Sequence, residues 1–558
     1  MNTSKIPRGN EQFWIFILSV SIYSILLGFN RLFDWDEINF AESAREMLIT
    51  GDFFRVQINY QPFWEKPPLF FWLQALSMKI FGINEFAARF PNAIIGGFTL
   101  VSLYKTGTQI KDVTFGRLLV LLYFISILPH FYFKTSIIDP AFNLFIFLGL
   151  YHVIRYEQVI SETRRLLPWE KTVKKWAALK AGFWIGLATL TKGPVALLIL
   201  VLTYFLFLLL YQNWVIRLAQ ILLFSISYLL VVGSWFGWET YVHGSWFLEK
   251  FIQYQIELYT KPVAGHEQPF YYHFLIVFLG CFPMSSFFIP GMKELPERHS
   301  ERLVRKFMVV WFWVVLIVFS IAKTKIVHYS SMTYFPGVYL AASFLYYQIK
   351  EDLKFPWHTY FIYALCTVIF GLGVTLILYF APYIQNYEYL IHDIHVKDAM
   401  KIPLNWLGGE YLIGIFYFFI CLTGLILLIL RKTFVFLIVF SLGTPLFLNL
   451  LNYYIVPKIA IFTQTAAVNF WRQHAHEKAY LVTYGYKSYA HYFYGRILPQ
   501  NALQNELSWV IHHEPRPTIY VAVKLKDYFS FEKEFANQFQ FLYQSGGFRF
   551  YKIRTRKQ

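Results

Sequence analysis

The sequence predicts an all-α polytopic membrane protein that carries a small C-terminal α/β domain on its outer side. Three observations predict it. Of 558 residues, 57% are hydrophobic, mean hydropathy is +0.43 and only 15% are charged, against about 25% charged in ordinary globular chains. The apolar residues gather into about thirteen runs, most of them near the roughly 20 residues that cross a bilayer. Aromatic residues reach 21%, and such rings fill helix interfaces and sit at headgroup level.

The runs lie at about 13–31, 87–109, 117–129, 137–155, 179–191, 194–212, 218–238, 271–290, 307–322, 330–348, 356–379, 410–430 and 433–455. The third and fifth are short, which leaves tilted, re-entrant or miscounted segments open. No small-residue cleavage site follows the first run, so it reads as a retained helix. Lys5 and Arg8 precede it. The loop at 155–180 carries Arg155, Arg164, Arg165, Lys171, Lys174, Lys175 and Lys180. The loop at 291–306 carries Lys293, Arg298, Arg302, Arg305 and Lys306, and Arg431–Lys432 form a tight turn. With thirteen spans these residues share the N-terminal side, which the positive-inside rule makes cytoplasmic. A multi-pass membrane protein follows, and the formal net charge of +17 needs no nucleic acid as partner.

The loops at about 32–86, 239–270 and 380–409 then face outward, as does the tail. The tail changes character. "KAYLVTYGYKSYAHYFYGRI" reads as a strand and a helix, "RPTIYVAVKL" as a strand, and "FQFLYQSGGFRFYKIR" as two strands about a Gly-Gly turn. The division is a membrane domain over 1–456 and a periplasmic α/β domain over 457–558. Cys281, Cys366 and Cys421 lie in apolar segments with no disulfide or zinc spacing.

The first outer loop begins "RLFDWDEINFAESAREMLITGDFF". Asp34 and Glu37 fit a capping box and Gly51 a helix stop. Ile38, Ala41, Ala44 and Leu48 repeat at helical spacing, predicting a helix in the plane of the membrane surface. Asp36 and Glu37 would sit in its first turn, where free N–H groups favour a carboxylate. They read either as caps or as a base or metal ligand. Lys66, in "NYQPFWEKPPLFFWL", reads as a phosphate ligand or as a snorkelling lysine. Asp139, in "TSIIDPAFNLF", reads as a helix start or as a functional acid at the mouth of a span. Lys192 in "TLTKGPVALL" and Lys323 and Lys325 in "AKTKIVHYSSMTYFP" map to the same outer face. His266 is the histidine best placed for a metal; His273 and His328 read as structural. A secondary transporter places its ionisable groups near the midplane, whereas these lie where a site would meet lipid headgroups.

"DEINFAESAREM", "EKPPLFFW", "TKGPVALLI" and "AKTKIVHY", in that order over about residues 30–340, resemble the blocks of the bacterial aminoarabinose transferases of lipid A and of the wider dolichyl-phosphate-mannose-protein mannosyltransferase-like group. These are membrane glycosyltransferases of the GT-C fold. The resemblance implies an inverting glycosyltransferase that moves a sugar from a polyprenyl-phosphate donor to a lipid, glycan or protein acceptor, among membrane lipids at the periplasmic face. It places the catalytic aspartate at Asp36 beside Glu37, a second outer acid at Asp139, the donor's phosphate near Lys66, Lys192 and the Lys323/Lys325 block with Tyr329, and a possible metal ligand at Glu65. Whether a divalent metal ion is needed stays open. Asn39 and Phe40 stand where the aminoarabinose transferases have Arg-Tyr, Tyr254 or Gln255 replaces their metal-binding histidine, and Val327 replaces a proline of their late block. These departures leave the sugar open. A lipid-linked sugar flippase without transfer chemistry is the alternative reading, and a structural subunit that has lost activity is another.

Overall fold

The computed structural model describes residues 9–162, 168–211, 218–261, 267–503, 507–513, 518–535 and 538–554. Helices lie over each of the thirteen apolar runs. Among the described residues, six helices are long and apolar enough to cross a membrane: Glu85–Ile110, Leu218–His243, His299–Ile321, Trp357–Leu390, Tyr411–Ile429 and Thr433–Tyr454. A seventh crossing arises if Tyr272–Gly280 and Met284–Met292, bent by 103°, count together. The short third run is the helix Val113–Ile125, and the fifth is the end of a longer helix, Pro168–Lys192. Thirteen crossings therefore remain an expectation. Lys5, Arg8, Arg164 and Arg165 lie outside the described residues.

Local sequence explains many of the helix ends. Asn84 and Asp112 stand before Glu85–Ile110 and Val113–Ile125, and each side chain accepts a hydrogen bond from the backbone three residues on, Ala87 N at 2.9 Å and Phe115 N at 3.0 Å. Gly51 ends the helix Asp36–Thr50 at φ +75°, its N–H returning to Met47 O.

The start of that helix differs from the expectation. Trp35 is its cap residue and no side chain caps it, so Asp34 and Glu37 form no capping box. Glu37 instead meets Arg89. Nor does the helix lie open on the membrane surface, since every residue from Glu37 to Met47 is buried. The C-terminal domain covers it: Arg45 Nη2 donates to Ile497 O at 2.8 Å and Tyr60 Oη to the same oxygen at 2.7 Å. Periodicity shows that a helix has an apolar face, but not what covers the polar one.

The tail starts with two helices, Val456–Thr463 and Thr465–Gln473, and continues into a four-stranded sheet. Ala479–Tyr484 pairs parallel with Thr518–Lys524, which pairs antiparallel with Phe548–Ile553, and Phe539–Ser545 forms the edge. All four strands fall in the segments read as strands, and Gly546–Gly547 make the turn at φ +59° and +82°. Contacts pin this domain to the first outer loop. Leu32 N donates to Tyr494 Oη at 2.8 Å, Gln464 Nε2 to Leu32 O at 2.7 Å and Trp35 Nε1 to Lys487 O at 3.0 Å.

Candidate active site

A cavity of about 920 Å³ opens between one end of the membrane helices and the C-terminal domain. Four segments of the membrane domain bring charges to it. Asp36 begins the loop helix, and Glu65 and Lys66 precede the helix Leu69–Phe81. Asp139 begins the helix Asp139–Glu162, where the following proline suits a first turn. Lys192 is the last residue of Pro168–Lys192. Gly193 then turns the chain at φ +118°, a conformation open to glycine; a side chain there would also meet the Phe251 ring at 2.9 Å.

Two carboxylates face one another across the site and differ in surroundings. Asp139 is 2% exposed; its Oδ1 accepts from Lys192 Nζ at 2.6 Å, and its Oδ2 has no hydrogen-bond partner. The Asp36 side chain is 35% exposed, and His328 Nε2 lies 3.5 Å from its Oδ2. Lys192 Nζ lies 4.5 Å from the centre of the Tyr329 ring. Lys66 is buried, with Nζ 3.3 Å from Glu65 O and 5.1 Å from the Tyr254 ring. Burial and the neighbouring Lys192 hold its amine below the ordinary lysine range, against the opposing pull of Glu65, Asp36 and Asp139. Thus the cavity wall offers both an accessible carboxylate and two lysine amines, which suits a phosphate.

Glu37 is held at both carboxylate oxygens. Its oxygens accept from Arg89 Nε at 2.9 Å, Arg89 Nη2 at 2.7 Å, Phe33 N at 3.0 Å and Ser136 N at 2.7 Å. Burial, which would raise the carboxyl, is outweighed by Arg89, and Glu37 stays below the usual carboxylate range. Arg89 also binds the carbonyls of Leu27, Asn30 and Arg31 at 2.7–2.8 Å. The pair ties the loop to the membrane helices, and Glu37 positions its neighbour Asp36.

Other expected site residues separate from the cavity. Lys323 is exposed and Lys325 buried, and neither lines it; Tyr329 does. His266 lies outside the described residues. Glu65 lines the cavity beside a lysine and a tyrosine, and no group of three or more His, Cys, Asp or Glu among the described residues is arranged to hold a metal ion. Lys192, at 2.6 Å from Asp139, already supplies the positive charge a cation would bring. Among the described residues the donor set does not fit a metal, and no step is assigned to one.

Sequence reasoning missed Asp34, Trp35, Lys487 and Tyr489. Lys487 Nζ lies 5.2 Å from the Trp35 ring and 5.4 Å from the Tyr489 ring at the cavity wall. Asp34 is pushed up to about 6 by burial, with Tyr489 N at 3.4 Å from its Oδ1. Asp34 was legible only as a helix cap, and nothing local marks Lys487 and Tyr489, because the tail joins the site only through tertiary folding.

A helical membrane domain whose outer mouth gathers carboxylates and lysines beneath a small α/β domain has the GT-C architecture of membrane glycosyltransferases. The solved ArnT of Cupriavidus metallidurans bound to undecaprenyl phosphate shares this fold, with a TM-score of 0.74 at 15% identity over 98% of both chains. Residues 65–238 match the family described as dolichyl-phosphate-mannose-protein mannosyltransferase. An uncharacterised Aquifex aeolicus protein is 30% identical over 62% of this chain and 66% of its own length. The undecaprenyl phosphate-alpha-4-amino-4-deoxy-L-arabinose arabinosyl transferase of Photorhabdus laumondii is 27% identical over 71% of this chain and 68% of its own. The alignments thus span about two thirds of these relatives. The chain thus has the GT-C fold, and part of it is similar in sequence to the dolichyl-phosphate-mannose-protein mannosyltransferases and the aminoarabinose transferases.

Proposed function

We propose that this protein transfers a sugar from a polyprenyl-phosphate carrier to a lipid, glycan or protein acceptor at the periplasmic face of the inner membrane, with inversion at the anomeric carbon. One observation carries the reading: a single outer cavity holds an accessible carboxylate, Asp36, together with two buried or half-buried amines, Lys66 and Lys192. The acceptor's oxygen or nitrogen attacks the anomeric carbon from the face opposite the phosphate, and its proton passes to Asp36. The bond from that carbon to the phosphate oxygen breaks, and its electron pair stays on the departing phosphate. Lys66 and Lys192 offset the growing charge, while Asp139 holds Lys192 in place.

The test supplies purified protein in proteoliposomes with synthetic polyprenyl-phosphate sugars and a native membrane extract as acceptor. Mass spectrometry should find free polyprenyl phosphate and a glycosylated acceptor, and the added mass separates a pentose from a hexose. A carrier that crosses the bilayer without being consumed would sink the transfer reading and identify a flippase.

Two predictions accompany it. Lys66→Ala should raise the donor's KM by roughly ten- to a hundredfold, since a hydrogen bond to a charged group contributes about 1.5–3 kcal/mol. Lys66→Arg should recover part of this, being charged but differently shaped. Because the Lys66 amine titrates below the usual range, wild-type donor affinity should fall as pH rises through that lowered value, whereas the arginine variant should stay flat. An unchanged KM in Lys66→Ala makes Lys66 a snorkelling residue. The second concerns orientation. The three native cysteines are buried, so Ser545→Cys in the sheet's edge strand reports alone, and an impermeant thiol reagent should label it from outside intact spheroplasts. Labelling only after the membrane is opened would invert the topology and place the cavity on the cytoplasmic side.

A further inference from the structure

We infer that His328 is the positioning residue of the base: its Nε2–H bridges Asp36 and Asp139, orients the Asp36 carboxylate toward the acceptor and relieves the repulsion between the two acids. The inference rests on the sugar-transfer reading and deepens it by naming what sets the strength and direction of the base.

The geometry is symmetric. Nε2 lies 3.5 Å from Oδ2 of Asp36 and 3.5 Å from Oδ2 of Asp139. A nitrogen equidistant from two carboxylate oxygens carries a hydrogen, because a lone pair there would repel both. The distances are long for a hydrogen bond, as catalytic contacts often are before substrate tightens the site. The Asp139 side adds a second observation. Its Oδ2 is buried without a hydrogen-bond partner while Oδ1 is held by Lys192. An unsatisfied buried acceptor costs about 1–3 kcal/mol, and the imidazole is placed to satisfy it. Asp139 is thereby fixed at both oxygens, and Asp36, the more exposed acid, is the one left to meet the acceptor.

The imidazole is itself aimed by its turn. His328 sits in the 3₁₀ segment Val327–Thr333. Ser331 Oγ donates to His328 O at 2.5 Å and receives Asn143 Nδ2 at 2.7 Å, so the histidine's backbone is tied to the same helix that begins at Asp139. Ser330 Oγ meets His273 Nδ1 at 3.1 Å on the other side. The charged groups that face the ring are Asp36, Asp139, Lys192 and Lys66, with His273 behind. Burial, joined by the two lysines, keeps the imidazole below the usual histidine range against the pull of the carboxylates, so near neutrality it is the uncharged donor this role requires.

Without that donor two carboxylates would face each other unbridged, and a like charge nearby raises a carboxyl pKa. His328→Phe should therefore lower kcat by roughly 10²-fold, the cost of a misplaced catalytic group, leave the donor's KM near wild type, and move the acid limb of the kcat/KM profile upward by about one unit. His328→Gln, which keeps one N–H donor, should restore most of the rate and return the limb toward its wild-type position. Melting temperatures of both variants are measured alongside. Wild-type rate and profile in His328→Phe overturn the inference alone. So does an equal loss in both variants that tracks a fall in melting temperature, which marks a packing residue. A wild type that consumes no donor overturns the transfer reading, and this inference with it.

Discussion

Asp36→Asn should reduce turnover by about 10²–10⁴-fold, the usual worth of a general base, and leave the melting temperature near wild type. The carboxylate is 35% exposed and lies 3.5 Å from the imidazole of His328, so asparagine of the same shape removes the base without breaking a strong structural bond. Asp139→Asn tests the alternative acid. There the 2.6 Å pair with Lys192 is lost inside a buried setting, so activity and melting temperature should fall together. Donor consumption by purified protein, read beside thermal unfolding, separates the two. Near-normal turnover in Asp36→Asn would remove Asp36 from the chemistry.

Arg89→Met should destabilise the protein by about 3–5 kcal/mol, the cost of leaving one partner of a buried ion pair uncompensated. The guanidinium meets both Glu37 oxygens and three backbone carbonyls, and nothing else described could neutralise Glu37 at its 5% exposure. The loop at 32–86 should loosen first, carrying Asp36 out of register. Faster proteolysis of that loop and a lower unfolding midpoint in detergent are the readouts. Glu37→Gln, which keeps the shape and loses the charge, should lose stability too. If instead Glu37→Gln kept its melting temperature and lost turnover, Glu37 would be catalytic and its pairing with Arg89 incidental.

The pattern of apolar runs determined the helical membrane class, because lipid admits no unsatisfied backbone and leaves its mark on composition over every span. The tail was legible for a similar local reason: "TIYVAVK" and the Gly-Gly turn carry strand signals that need no partner to be read. Asp36, Asp139, Lys66, Lys192 and Tyr329 could be listed as outer-face residues from charge placement and block order. That they share one cavity could not, since five segments far apart in sequence meet there.

Sequence alone thus determined that the candidate polar residues lie at the ends of apolar segments and which side chains could do chemistry. Tertiary structure decided their assignment. It turned Glu37 from a cap and catalytic candidate into the partner of Arg89, 52 positions away; it drew Lys323 and Lys325 out of the cavity and set His328 between two acids; and it brought Lys487 in from the tail. The reason is physical. Hydrophobic periodicity reports where a residue's surroundings are apolar, a property of its own segment. A carboxylate's role depends on which cation lies within a few ångströms, and that is decided by how distant segments pack.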